Sequence, residues 1–111
     1  MPDDAARTAL LDLQIDAGPL TTIRLAGDLD PATAPLLEGA IATAVGDDSV
    51  QRVVLDLSEL SFLDSSGLRV FVTAREGLAK RGAELALRDP SDNTRRLLDI
   101  TGLGEVIAVE P

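Results

Sequence analysis

A chain of 111 residues fits a single domain and can bury one sizeable core. Its formal net charge of −9 would repel a nucleic acid backbone or an anionic membrane, so neither is expected as a direct partner. The absence of histidine and cysteine excludes a serine–histidine–aspartate triad, thiolate chemistry and the commonest transition-metal ligands.

The amino-terminal end of the chain predicts a tail without a targeting signal. Residues 1–9 are small, polar and unpatterned, so we expect a flexible tail, followed by one domain over 10–111. These residues lack the charged and apolar regions of a signal peptide, and no later apolar run reaches the roughly 18 residues that a membrane span needs. We therefore expect a cytoplasmic protein without membrane insertion.

A β-hairpin is predicted next. Leu11, Leu13 and Ile15 alternate with polar residues, as in a half-buried strand. Turn residues at 16–19 separate them from a second strand over 20–26, and so short a link predicts antiparallel pairing.

The segment Gly27-Asp28-Leu29-Asp30 is expected to break the second strand. Pro31 and Pro35 suit a loop or a first helical turn, with Thr33 or Asp30 as the N-cap of the helix that follows. Gly46 is expected near the end of that helix. The apolar residues predicted to share one of its faces are Leu37, Ala40, Ile41, Ala44 and Val45.

A buried strand and a second helix are predicted in the middle of the chain. Residues 53–57 are apolar nearly throughout, which suits a central strand covered on both faces. The following helix is expected to end at Gly82, after two basic residues. Its apolar residues at helical spacing are Leu68, Phe71, Val72 and Leu78.

The last third of the chain predicts strand, helix and strand. Alternation over 83–87 indicates a strand, residues 89–92 offer a helix cap, and 106–109 form a last short strand. Gly102 is expected to end the third helix in the left-handed conformation, with an apolar contact from Leu103. The apolar residues of that helix are Leu97, Leu98 and Ile100.

These elements predict an α/β fold in one domain. The first two strands form an antiparallel hairpin, and each later strand–helix–strand crossover favours parallel neighbours. We therefore expect a mixed sheet with about three main helices.

The motif Asp64-Ser65-Ser66-Gly67 lies where the central strand gives way to the second helix. One interpretation is a helix cap, because Asp and Ser side chains both accept hydrogen bonds from unpaired N–H groups. Another is a phosphoacceptor, since a helix start is exposed and its N–H groups can receive phosphate oxygens. These considerations leave the choice between Ser65 and Ser66 open.

Catalytic and cofactor sites find little support in the sequence. A nucleophilic Ser65 or Ser66 would need a base, but Lys80, the sole lysine, lies about 20 Å away along the same helix. Asp28 and Asp30 carry no further pattern of metal ligands, so a turn is the better interpretation. No phosphate-binding or dinucleotide loop is present. We expect no catalytic residue, metal or cofactor.

Three stretches of the sequence resemble the STAS domain, in particular the stand-alone anti-sigma factor antagonists of bacteria. Residues 25–30 are similar to that family's Gly-Glu-Leu-Asp turn, with Asp28 in place of the usual Glu. Residues 53–58 with 62–68 are similar to its phosphorylation segment, and 97–103 to the end of its third helix. Thr94 stands where an apolar residue is common.

This resemblance implies partner switching. The unphosphorylated antagonist would bind an anti-sigma factor that is also a serine kinase, phosphorylation would block binding, and a PP2C-type phosphatase would restore it. The acceptor in the family is the hydroxyl residue directly after the aspartate, which implies Ser65, with Ser66 as the alternative. The expected partner-binding residues are Asp28, Asp30, Asp64, Ser65, Ser66, Gly67 and Arg69.

Two further expectations depend on the same resemblance. Many relatives continue into a C-terminal helix, so that helix is expected to be shortened or missing in a chain that stops at Pro111. The alternative function is a STAS-like accessory or scaffold subunit of a lipid-transport ATPase or a stress-signalling complex. A serine hydrolase, a third interpretation, would lose its turnover in Ser65→Ala.

Overall fold

The computed structural model describes residues 10–111, and the predicted tail over 1–9 lies outside the described residues. Within that range, strands and helices follow one another in the predicted order. The strands are β1 (Leu11–Asp16), β2 (Leu20–Leu29), β3 (Arg52–Leu63), β4 (Glu84–Arg88) and β5 (Ala108–Glu110). The helices are α1 (Ala34–Val45), α2 (Ser65–Ala79) and α3 (Asp92–Thr101), with a 3-10 turn at Leu103–Glu105.

The strands form one mixed sheet in the order β1-β2-β3-β4-β5. β1 is antiparallel to β2, and every later pair is parallel, which confirms the predicted fold class. The three crossovers all step in the same direction across the sheet, so right-handed connections place all three helices on one face. β3, the predicted central strand, occupies the middle position.

A single core lies between the helices and that face of the sheet. Leu37 of α1, Phe71 of α2 and Leu98 of α3 are fully or almost fully buried in it, together with Leu55 of β3. The spacing of apolar residues therefore predicted buried residues on all three helices, although Val70 and Ala74 of α2 are buried without having been predicted. On α3 the prediction is wrong for Ile100, because its side chain is 73% exposed.

Among the described residues, the other face of the sheet carries polar side chains and no helix. One row runs across all the strands in register, from Gln14 through Arg24, Asp56 and Arg88 to Glu110. Arg24 Nε lies 3.5 Å from Asp56 Oδ2, and Arg88 Nε lies 3.0 Å from Glu110 Oε1. This charged row makes a largely parallel sheet compatible with solvent on a face that helices usually cover.

Asp56 is the most buried charged side chain of the row. Burial raises the pKa of its carboxyl, but hydrogen bonds from Ser58 and the nearby Arg24 guanidinium outweigh burial and hold the pKa below its ordinary value. The Ser58 N–H donates to Asp56 Oδ1 at 3.0 Å. Asp56 thus contributes to the charged row and lies at the start of an irregularity in β3, where the register with β2 shifts between Asp56 and Glu59.

β2 and β3 are longer than predicted. β2 continues through Leu29, so the expected break at residues 27–30 is wrong; Gly27 adopts a φ of 113° and keeps the strand paired. β3 continues to Leu63 because two bulges each insert one extra residue into it relative to β2. Its buried side chains then recur every third residue, a period typical of neither strand nor helix.

The ends of the helices follow their predicted chemistry in part. Ser91 caps α3 by accepting a hydrogen bond from the Thr94 N–H, and Gly102 ends that helix with a φ of 78°. Leu103 packs against the core, as expected. At α1 the N-cap position is Thr33, but its hydroxyl makes no capping bond to the helix.

Arg81 joins the region after α2 to the end of α1. Its guanidinium donates to the carbonyl oxygens of Val45 at 2.7 Å, Val50 at 2.8 Å, Asp47 at 3.0 Å and Ala44 at 3.2 Å. The last carbonyls of a helix have no partner within the helix, so one cation satisfies groups that would otherwise need water. The sequence predicts Arg81 only as one of the two basic residues before Gly82.

Replacing Arg81 with methionine is expected to lower the free energy of unfolding by about 2 kcal/mol, because charged donors contribute more than neutral ones and several carbonyls lose their partner. Urea denaturation followed by circular dichroism measures the loss. Lys80→Met removes the same charge from the exposed neighbouring position and should change stability by less than about 0.5 kcal/mol. Equal losses in the two variants would contradict this role.

Candidate functional site

The candidate site lies at the carboxyl edge of the parallel strands, where β3 meets α2. Leu63 ends β3, Asp64 follows it, and Ser65 is the first residue of α2. Leu29, the last residue of β2, pairs with Leu63. The end of β2 therefore lies beside the start of α2, and the two motifs noted in the sequence meet at one edge.

Asp64 is the N-cap of α2. Its Oδ1 accepts hydrogen bonds from the Ser66 N–H at 2.9 Å and from the Gly67 N–H at 3.4 Å, while its carbonyl accepts from the Leu68 N–H at 3.1 Å. The capping role thus belongs to the carboxylate and to neither serine hydroxyl. The N–H groups of Ser66, Gly67 and Leu68 are already satisfied, so they are not open to a phosphate as the sequence suggested, while the Ser65 N–H has no hydrogen-bond partner within residues 10–111.

The two serines differ in exposure. Ser65 is exposed and Ser66 is half-buried. Within residues 10–111, neither hydroxyl takes part in a hydrogen bond. Ser65 Oγ is therefore the more accessible of the two for a reaction with another protein.

Gly67 is buried where α2 crosses the ends of β2 and β3. A Cβ at this position would lie 2.7 Å from Leu29 Cδ2 and closer still to Leu63 Cδ1. Gly67 was expected among the partner contacts, but it faces these two leucines. It positions Ser65 by letting the helix start approach the sheet.

Asp30 and Thr33 fix the loop that follows β2. Asp30 Oδ1 accepts from the Ala32 N–H at 2.9 Å and from the Thr33 N–H at 3.0 Å. The buried Thr33 hydroxyl donates to the Asp28 carbonyl at 2.8 Å and accepts from the Asp30 N–H at 3.0 Å. The carboxylate of Asp30 is therefore occupied by the loop, as the interpretation of a turn predicted.

Three more side chains complete this edge. Asp28 is half-buried and pairs in register with Phe62, whose ring is 50% exposed. Arg69 is exposed on α2, one turn after Ser65. Phe62 was not among the predicted site residues, and only the bulge in β3 turns it outward.

The rest of the described chain adds no chemistry to the site. Lys80 is the C-cap of α2, at the opposite end of the helix from Ser65. Residues 10–111 contain no cluster of three or more potential metal ligands. None of the helices in this range is long and apolar enough to cross a membrane.

Comparisons with known proteins agree with one another. The family model described as STAS domain matches residues 11–111. A protein from Listeria monocytogenes named anti-sigma-B factor antagonist is 42% identical over 89 residues, which cover 79% of this chain and 76% of that protein.

Two solved structures extend the similarity to the fold. An anti-sigma factor antagonist from Mycobacterium paratuberculosis superimposes with a TM-score of 0.80 at 31% identity, over 91% of this chain and 86% of that one. The Bacillus cell fate determinant SpoIIAA in its phosphorylated form superimposes with a TM-score of 0.71 at 26% identity, over 89% of each chain. With its mixed sheet, three helices and Asp-Ser-Ser-Gly helix start, this chain belongs to the STAS domain family.

Proposed function

We propose that this protein is an anti-sigma factor antagonist that acts in the cytoplasm by partner switching. Its unphosphorylated form binds an anti-sigma factor, which releases a sigma factor, and phosphorylation of Ser65 blocks that binding. The observation that carries the proposal is an exposed Ser65 hydroxyl, without a hydrogen bond to any of residues 10–111, at a helix start capped by Asp64 in a STAS domain similar to named antagonists.

The chemistry belongs to the partners. An anti-sigma factor with serine kinase activity transfers the γ-phosphoryl group of ATP to Ser65 Oγ; the hydroxyl proton passes to the kinase and ADP leaves. A PP2C-type phosphatase then hydrolyses the phosphoester to serine and inorganic phosphate. The chain itself needs no cofactor and no catalytic residue for this cycle.

Added bulk and charge explain how a phosphate blocks binding. The site edge already carries the carboxylates of Asp28, Asp30 and Asp64, so a phosphate adds to a negative charge that is high before modification. A phosphoserine adds a charge of roughly −2 and three further oxygens at the centre of this surface. The partner would have to accommodate the added bulk and desolvate the new charge without any new cation of its own.

Ser65→Asp is expected to weaken binding of the anti-sigma factor by about tenfold or more, which is about 1.4 kcal/mol, while Ser65→Ala retains the affinity of the wild type. Each variant is immobilised and used to capture partners from a lysate of the native host. Quantitative mass spectrometry then compares the anti-sigma factor recovered by each.

Ser66→Asp is the matched control, because it places the same charge one residue further along, at a half-buried position. A smaller effect there than at Ser65 supports the assignment, and equal recovery by wild type and Ser65→Asp contradicts it. Phosphate found only at Ser66 in protein isolated from the host would move the acceptor to that residue. Recovery of transporter subunits instead of an anti-sigma factor would favour the accessory-subunit alternative.

A further inference from the structure

Arg69 is a cation that lies one helical turn after Ser65. Its side chain is exposed, and within residues 10–111 it makes neither an ion pair nor a hydrogen bond. Residues four apart on a helix are surface neighbours, with Cβ atoms about 5–6 Å from each other. The positions three and four residues from Arg69 hold serine, valine and threonine, so no carboxylate of α2 competes for it.

Three of the amides at the start of α2 that could donate to a phosphate are already taken. Asp64 Oδ1 accepts from the N–H groups of Ser66 and Gly67, and the Leu68 N–H is bonded to the Asp64 carbonyl. A phosphate on Ser65 would find these amides occupied, and the Asp64 carboxylate would repel it from that side. Within residues 10–111, the donors left on this face of the helix are the neutral Ser65 N–H and the charged guanidinium of Arg69, and the charged group is the stronger donor.

We propose that phosphoserine 65 is bound by Arg69 in an ion pair that spans one turn of α2. A guanidinium offers paired N–H donors that match the oxygens of a phosphate, and an anion placed before a cation along a helix is the favourable order. The proposal rests on the proposed phosphorylation of Ser65. It gives Arg69 two roles: a partner contact in the unphosphorylated protein and a phosphate ligand in the phosphorylated one.

One modification then changes two residues of the binding surface. The phosphate adds bulk and negative charge at Ser65, and the ion pair withdraws the cation at Arg69 from the partner. Phosphorylation thereby removes a favourable contact as well as adding an unfavourable one. Because both residues lie on the surface of α2, neither change requires the core to repack.

The test uses the full chain with phosphoserine genetically encoded at position 65, so no kinase is needed. Phosphorus NMR measures the second pKa of the phosphate, which is ordinarily near 6. Arg69→Gln is expected to raise this pKa by about 0.3 relative to the wild type. Nitrogen-resolved NMR should also show that the Arg69 Nε–H resonance shifts with the phosphate titration.

Two variants make the result specific. Lys80→Gln removes one charge from the far end of α2 and should leave the phosphate pKa unchanged, while Arg69→Lys keeps the charge without paired donors and should give an intermediate value. The carboxylates of Asp28, Asp30 and Asp64 are present in every variant, so the difference reports Arg69 alone.

The proposal of an ion pair would be overturned if the phosphate pKa were equal in wild type and Arg69→Gln and the Arg69 Nε–H resonance did not shift as the phosphate titrates. Failure of the proposed function is a separate outcome, because it shows itself as equal capture of the anti-sigma factor by wild type and Ser65→Asp.

Discussion

Gly27→Ala is expected to lower the free energy of unfolding by about 3 kcal/mol or more, a large share of the stability of a domain this size. Gly27 has a φ of 113°, which an L-alanine adopts only with strain. An added Cβ would also lie 3.0 Å from the Leu10 carbonyl carbon and closer still to its oxygen. That oxygen accepts a 2.9 Å hydrogen bond from the Asp28 N–H, so β1 would have to separate from β2 beside the site.

Gly82→Ala is the matched control for this prediction. Gly82 also has a positive φ, 77°, but no atom of residues 10–111 outside its own local backbone lies within 4 Å of the position of its Cβ. The alanine there incurs the backbone strain alone, so its loss should be clearly smaller than that at Gly27. Urea denaturation of the two variants measures both losses, and equal values would show that the contact with Leu10 contributes nothing.

Gly67→Ala is expected to lower the free energy of unfolding by about 2 kcal/mol, because the added methyl group overpacks the core. The new methyl group would overlap the side chains of Leu29 and Leu63, which are 0% and 8% exposed and so have little free space into which to move. The strain falls on the residues that position Asp64 and Ser65. We therefore expect thermal denaturation at a lower temperature together with slower phosphorylation of Ser65 by its kinase.

Gly77→Ala, a substitution in the same helix, is expected to raise stability instead of lowering it. Its Cβ would lie 3.6 Å from both methyl groups of Val45, an ordinary contact, and alanine is the better helix former. This variant should be more stable than the wild type by about 0.5–1 kcal/mol. A destabilised Gly77→Ala, or an unaffected Gly67→Ala, would refute the crowding at the helix start.

The elements predicted correctly from the sequence are those whose structure depends on a periodic pattern of apolar residues or on a helix cap. Apolar spacing found the buried faces of α1 and α2, and the chemistry of Ser91 and Gly102 predicted both ends of α3. The short link after β1 predicted the hairpin, and the two serines were located at a helix start. These features depend on local interactions, which a sequence shows directly.

The failures occurred where backbones approach one another. Gly27 suggested a break, but it permits the close approach of Leu10, and β2 continues for three more residues that pair with β3. The bulges of β3 depend on its register with β2, which the sequence does not show. Beyond residue 57 the apolar residues therefore follow neither the period of a strand nor that of a helix, and the outward position of Phe62 could not be predicted. The cap was ambiguous for a related reason: Asp64, Ser65 and Ser66 can all accept hydrogen bonds, and only their geometry assigns the amides to Asp64.

The cap made by Asp64 bears on how a partner protein would recognise a phosphorylated Ser65. The carboxylate binds the N–H groups of Ser66 and Gly67 without involving the Ser65 hydroxyl, so we expect a phosphate on that hydroxyl to leave the start of α2 in place. A partner would then distinguish the phosphorylated from the unphosphorylated form only by direct contact with the surface around Ser65. A measurement of overall shape, such as small-angle scattering, is expected to give the same result for both forms.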